Sequence, residues 1–173
     1  MRPQRRTLGA LIDEMAAARP DAEAVVFRGE RLTYAALRDR ADTLARALLA
    51  LGVRKDDRVA VLLPNRTEWL VAAVAAAKLS ALTVALSTFS TAREVGWTLE
   101  HAQPRVIVTM EAFRGHEYLR AIRDVCPELA HSAPGALHSE RLPELRAVVS
   151  IDEVYQKLKN EAAAARRLRD KYQ

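Results

Sequence analysis

Residues 58–63 read RVAVLL and stop at Pro64, and residues 82–86 read LTVAL. Neither run alternates polar with apolar, as a strand with one wet face would. Unbroken apolar strands are typical of a parallel sheet covered on both faces. The spacing therefore predicts 59–63 and 82–86 as central strands of a five- or six-stranded sheet. Between them, residues 69–77 read WLVAAVAAA, a buried helix of small side chains. Nine residues rise about 14 Å as a helix, well short of a hydrocarbon core near 30 Å. Lys78 would lie near the middle of any longer span, so the sequence predicts no transmembrane segment.

The same alternation of helix and strand runs outward in both directions. Upstream, residues 8–18 predict a short helix closing at Arg19-Pro20, and 24–27 predict a strand turned back at 28–31 into a second one at Leu32. From Thr33 the apolar residues Tyr34, Leu37, Ala41, Leu44, Leu48 and Leu51 recur at helical spacing, and Gly52 supplies the stop. Asn65 with Glu68, and Thr91 with Glu94, each match the capping-box pattern at a helix start. Residues 105–109 (RVIVT) predict a strand, 113–125 a helix, 127–143 a loop and 145–151 a last strand. This is an α/β chain with a mostly parallel β-sheet covered by helices, and no internal repeat is expected. Residues 1–151 form the α/β segment, and 152–173 read as a basic helical tail or linker.

Charge and cysteine narrow the function. The net charge of +5 comes from the ends: Arg2, Arg5 and Arg6 supply three, and 151–173 supply two more. Residues 7–150 balance, so a nucleic-acid-binding face is not expected. The single cysteine, Cys126, excludes an internal disulfide and fits a reducing, cytoplasmic location. It reads as a packed thiol beside Pro127 rather than a nucleophile. No signal peptide is expected, because acids interrupt the stretch LGALIDEMAA.

Chemistry-bearing motifs are sparse. The glycines at 9, 29, 52, 96, 115 and 135 are never clustered, so no phosphate-cradling loop is present. His101, His116, His131 and His138 make no metal-ligand pair, and His101 reads as a helix-end dipole partner. Asp56-Asp57 reads as a solvated turn. The sequence thus assigns no catalytic, no cofactor-binding and no metal-binding residue.

Several segments, taken in order, resemble a known family. They are PDAEAV (20–25), RLTYAAL (31–37), ALLALGV (47–53), DRVAVLLPN (57–65) with Glu68-Trp69, and Lys78-Leu79. STFST (87–91), Glu94, WTLEHA (97–102) and LPELR (142–146) follow. Together, over about 7–150, they resemble the opening of AMP-forming acyl-CoA synthetases, within the adenylate-forming superfamily. The resemblance implies the N-terminal part of that family's large domain. It also implies a parent reaction in which a carboxylic acid is activated with ATP and magnesium to an acyl-adenylate and passed to CoA, as in fatty acid metabolism. The family usually has glycine at Ser80 and proline at Ala85, and often glycine at Asp56 and glutamate at Ala36. Thr33 is therefore expected to cap without a reciprocal partner. A side chain at position 80 fits easily only if the backbone there does not need positive φ.

The family's catalytic motifs have no counterpart in these residues, so the expectation is a truncated fragment, not catalytically competent alone. ATP, magnesium and CoA are cofactors implied for the full-length family, and none is expected in this chain. The alternatives are half of a split ligase needing a second chain, and a non-catalytic binding module that keeps the fold. The expected partners are a second copy of the chain or the remaining ligase portion. The carboxylic acid itself is not legible.

Overall fold

The computed structural model describes residues 7–133 and 136–151. Arg2, Arg5, Arg6 and the proposed tail at 152–173 lie outside the described residues. Helix α1 spans Leu8–Ala18, capped by Thr7, whose hydroxyl accepts from the Ala10 N–H at 3.2 Å. Strands β1 (Glu23–Phe27) and β2 (Glu30–Thr33) form an antiparallel hairpin. Helix α2 spans Tyr34–Ala50, with Thr33 as its cap and Gly52 beyond its end at φ +88°. Strand β3 (Arg58–Leu62) leads to α3 (Thr67–Lys78), β4 (Leu82–Ala85), α4 (Ala92–Ala102) and β5 (Val106–Thr109). A two-residue pair, β6 (Ala112–Phe113) and β7 (His116–Glu117), precedes α5 (Tyr118–Val125), and β8 (Ala147–Ser150) closes the chain's described part.

The main sheet is parallel, with strand order β4-β3-β5-β8. The chain steps from β3 outward to β4, then returns past β3 to place β5 on its other side. Right-handed crossovers taken in opposite directions put their helices on opposite faces. Accordingly α3, with α2 behind it, covers one face: Leu48, Val59, Val61, Ala72, Ala75 and Val106 share that core. On the other face, Leu62, Leu99, Ile107, Ile122, Leu142 and Leu145 pack together, drawn from β3, β5, α4, α5 and the loop before β8. A third cluster, Ile12, Leu37, Ala41, Val71 and Val74, holds α1 and the β1–β2 hairpin against α2 and α3.

Four expectations change. Among the described residues the parallel sheet has four strands, because β1–β2 and β6–β7 stand apart as hairpins. Strand β3 is central and buried, but β4 is an edge strand, with Leu82 58% exposed. Its apolar run therefore does not signal cover on both sides. Residues 113–125 are not one helix, because Arg114 and Gly115 turn the chain into the β6–β7 pair before α5 begins. Finally, Asn65 does not cap α3. The helix starts after Arg66, which makes no side-chain cap bond, and Glu68 instead grips the Arg66 guanidinium at 2.7 and 3.1 Å. A charge-assisted fork of that kind outweighs a neutral capping bond. The Thr91–Glu94 capping box on α4 forms as expected.

Lys78 ends α3 in a mostly apolar setting and keeps its charge through Asp13 of α1 and Asp42 of α2, the latter at 2.6 Å. Burial pushes its ammonium down, but the two carboxylates outweigh that and hold it above the ordinary lysine value. No described helix is long and apolar enough to cross a membrane.

Candidate functional site

In a doubly wound sheet, the crevice outside the carboxyl ends of the strands is the natural ligand position. Here the segments leaving β3, β4 and β5 open into a cleft of ≈ 630 Å³ at that end. The strand ends are fixed from within. The buried Thr109 hydroxyl donates to the Leu62 carbonyl at 3.1 Å, tying β5 to β3 where the ladder stops. The Tyr118 hydroxyl donates to the Thr88 carbonyl at 3.1 Å, tying α5 to the loop after β4. Burial pushes the Tyr118 phenol above its usual value, and the bond to Thr88 opposes this only in part.

The floor carries an ionic network. Thr67, itself buried, donates its hydroxyl to Glu30 of β2, and Arg40 pairs with the same carboxylate at 2.8 Å. Burial pushes Glu30 up, but the bonds from Thr67 and Arg40, with the charges of Arg40 and Arg66, hold it below the ordinary glutamate value. Glu68 meets Arg66, whose guanidinium also reaches the Met110 sulfur at 3.8 Å. The start of α3 is thus served by the protein's own carboxylates, which suit the positive end of a helix.

The walls are two matching hairpin tips. Phe27-Arg28-Gly29 joins β1 to β2, and Phe113-Arg114-Gly115 joins β6 to β7; in both, the Arg and Gly have positive φ. Positive φ at both central residues marks the type I′ turn, whose twist matches the flanking strands. Each guanidinium lies over its own phenylalanine ring, at 5.3 Å for Arg28 and 5.4 Å for Arg114. Phe27, Arg28, Phe113 and Arg114 all line the cleft, and Phe89, 73% exposed, lies at its edge. The arrangement presents aromatic surface with two guanidinium groups above it, chemistry suited to an anionic ligand with a flat or apolar part.

The sequence assigned none of these residues to a site. The available signal was the tripeptide Phe-Arg-Gly, present twice, at 27–29 and 113–115. It is too short to register as a repeat, and only the fold brings both copies to one cleft. The residues weighed from sequence lie elsewhere. Cys126 is fully buried, and burial, then the neighbouring Glu128, push its thiol up, as befits a packed group. His101 stacks on Trp97 with ring centroids 5.7 Å apart. His116, His131 and His138 are exposed, His116 on β7 and the other two outside the helices and strands. Asp57 accepts from the Arg54 N–H at 2.7 Å in a turn. Among the described residues no group of three His, Cys, Asp or Glu side chains could hold a metal ion.

Fold and cleft define a class: a parallel α/β segment with a ligand-facing crevice at the carboxyl ends of its strands. Comparison makes this particular. Residues 12–171 match the family described as AMP-binding enzyme, and the chain belongs to that family. It is 34% identical over 149 residues to a medium-chain acyl-CoA ligase, ACSF2, of Bos taurus, covering 85% of this chain and 24% of the relative. The Rattus norvegicus counterpart is 36% identical over the same shares. The chain thus spans about a quarter of the length of the curated relatives it matches. Among solved structures it resembles the N-terminal domain of FACL13 from Mycobacterium tuberculosis, with 26% identity and a TM-score of 0.68, over 89% of this chain and 36% of that one. The fold is shared too with the anthranilate CoA ligase AuaEII, at 21% identity and a TM-score of 0.71, over 87% of this chain and 26% of that one.

Proposed function

We propose that this chain is the N-terminal segment of an ATP-dependent acyl- or aryl-CoA ligase, in a reducing, cytoplasmic setting, and that alone it is catalytically silent. The observation that carries the reading is the family match over residues 12–171, joined to relatives that are acyl-CoA ligases of about four times the length. In such an enzyme the carboxylic acid is joined to AMP with loss of pyrophosphate, and the acyl group then passes to CoA.

The residues present do not fit an ATP site. A triphosphate needs several backbone N–H groups converging on it, which clustered glycines allow. Gly29 and Gly115 instead occupy hairpin tips, and the start of α3 is already matched by Glu68. What these residues do is shape the crevice, with Thr109 and Tyr118 fixing its strand ends. Arg28 and Arg114 offer positive charge to whatever anionic group enters. No step of the reaction is assigned to them.

The test is acid-dependent exchange of pyrophosphate into ATP, with magnesium and a panel of fatty and aromatic acids. Charge on the departing pyrophosphate has to be held by preorganised donors, and losing even one such donor costs roughly 10²- to 10³-fold in rate. The purified chain is expected to give no exchange above a no-enzyme control. Acid-dependent exchange persisting through purification would overturn silence. Exchange appearing only when a second polypeptide is added would replace the single-chain reading by a split ligase.

A further inference from the structure

We propose that the open edge of β4 pairs with the β4 edge of a second copy of this chain, antiparallel about a two-fold axis normal to the sheet. The first ground is the strand's hydrogen bonding. Leu82 N–H donates to the Asp57 carbonyl at 2.7 Å and Leu86 N–H to the Val61 carbonyl at 3.0 Å, so the even-numbered residues direct their polar groups toward β3. By strand alternation, Thr83 and Ala85 direct theirs outward. Among the described residues no strand lies on that side in the sheet order.

The second ground is that, among the described residues, the edge carries none of the usual guards. Exposed edges are ordinarily protected by lysine, proline, a bulge or a covering element. Residues 79–92 hold no Asp, Glu, Lys, Arg or His, in a chain where 28% of residues are charged. The register of β4 with β3 is regular from Leu82 to Ala85, without a bulge. Leu82 and Phe89, at 58% and 73% exposure, lie within this uncharged window.

The same facts select the occupant. A two-fold contact sets one surface against itself, so any charge on it near the axis meets its own like. An uncharged edge is free of that penalty. Symmetry also restricts the register to pairings centred on one residue. A two-fold axis normal to the sheet keeps each face on its own side, so opposed residues must come from the same face. Placing Val84 on the axis sets Thr83 opposite Ala85 of the second copy, where the two exchange both N–H···O bonds. The symmetric pair does the same, giving four bonds that use every outward group of those residues. On the other face, Leu82 comes to lie beside Leu86 of the second copy, which covers its exposed side chain. The two four-stranded sheets become one of eight strands.

Light scattering of the full chain across a concentration series tests the mass, and two variants test the geometry. The wild-type chain is expected at twice 19.2 kDa as concentration rises. Ala85→Pro removes an outward N–H while leaving the β3 bonds, which run through residues 82 and 86. It should abolish the dimer without changing the circular dichroism spectrum. Val84→Cys should form an intermolecular disulfide, because residues opposed at a non-hydrogen-bonded antiparallel position lie about 4.5 Å apart at Cα, within bridging range. Thr83→Cys should not, and Cys126 is buried and gives no background. A wild-type mass of 19.2 kDa at every concentration would overturn the proposal, including the case where only a separate ligase segment binds. So would a dimer unaffected by Ala85→Pro, or cross-linking through position 83 in place of 84.

Discussion

Ser80 stands at φ +56° and Asp56 at φ +66°, and the Asp56 N–H donates to the Ser80 carbonyl at 3.0 Å. The resemblance places glycine usually at the first and often at the second, and the backbone supplies the reason: both are left-handed. A side chain there costs roughly 1–2 kcal/mol, whereas glycine's extra freedom in the unfolded chain costs about 0.5–1 kcal/mol. Ser80→Gly is therefore expected to stabilise the fold by about 0.5–1 kcal/mol, raising the thermal midpoint by about 2 °C. A calorimetric scan showing a lower midpoint would refute the strain argument. Aspartate tolerates this conformation better, so position 56 has less to gain. The Glu30 carboxyl is held below its ordinary value in the fold. Its contribution is present above about pH 4.5, the unfolded glutamate value, and is lost as pH falls through the lower folded one. Glu30→Gln should thus lower the midpoint at pH 7, and the gap to wild type should close as pH falls below 4.5 through the lower folded value. A constant gap between the two proteins across that range would sink the assignment.

Among the elements, α1 and α3 meet at Gly9, where an added Cβ would lie 2.9 Å from the Lys78 Cγ and 3.1 Å from its Cα. The Cα cannot swing aside, so the two helices would have to part. Overpacking of this kind costs about 1–3 kcal/mol, against a helix-propensity gain of up to about 1 kcal/mol for alanine over glycine. Gly9→Ala is expected to destabilise the chain in urea titration, by loosening α1 and its Asp13–Lys78 contact together. An unchanged midpoint would show that the helices part freely. Legibility at this scale followed the locality of the signal. The α1 limits, the α4 capping box and the lone Thr33 cap depend on neighbours in sequence, and they were readable. The α3 start depended on Arg66 meeting Glu68, and the β6–β7 pair on a two-residue turn bearing only one glycine; both were missed. The position of β4 at the edge depended on strand order, which an apolar run does not encode.

Over the whole molecule, the sequence carried the α/β class, the parallel sheet and the family, because these rest on repeated periodicity and ordered motifs. The cleft was not carried. Its walls come from residues 27–30 and 64–68 in one half of the chain and 110–114 in the other, and only the reversal of winding at β3 joins them. That reversal also governs how the chain reaches this state. Val59 pairs with Thr83 and Val106, 24 and 47 residues away, and Val106 pairs with Ala147, 41 residues further on. No ladder of the main sheet closes over a short loop. The helices can form in under a microsecond or so, while each strand pairing must first bring distant segments together. Folding is therefore expected to be slow relative to the chain's size, because β3 and β5, each buried and flanked on both sides, are completed only when distant segments arrive. The two strands most deeply enclosed at the end are those whose company must come from farthest along the chain.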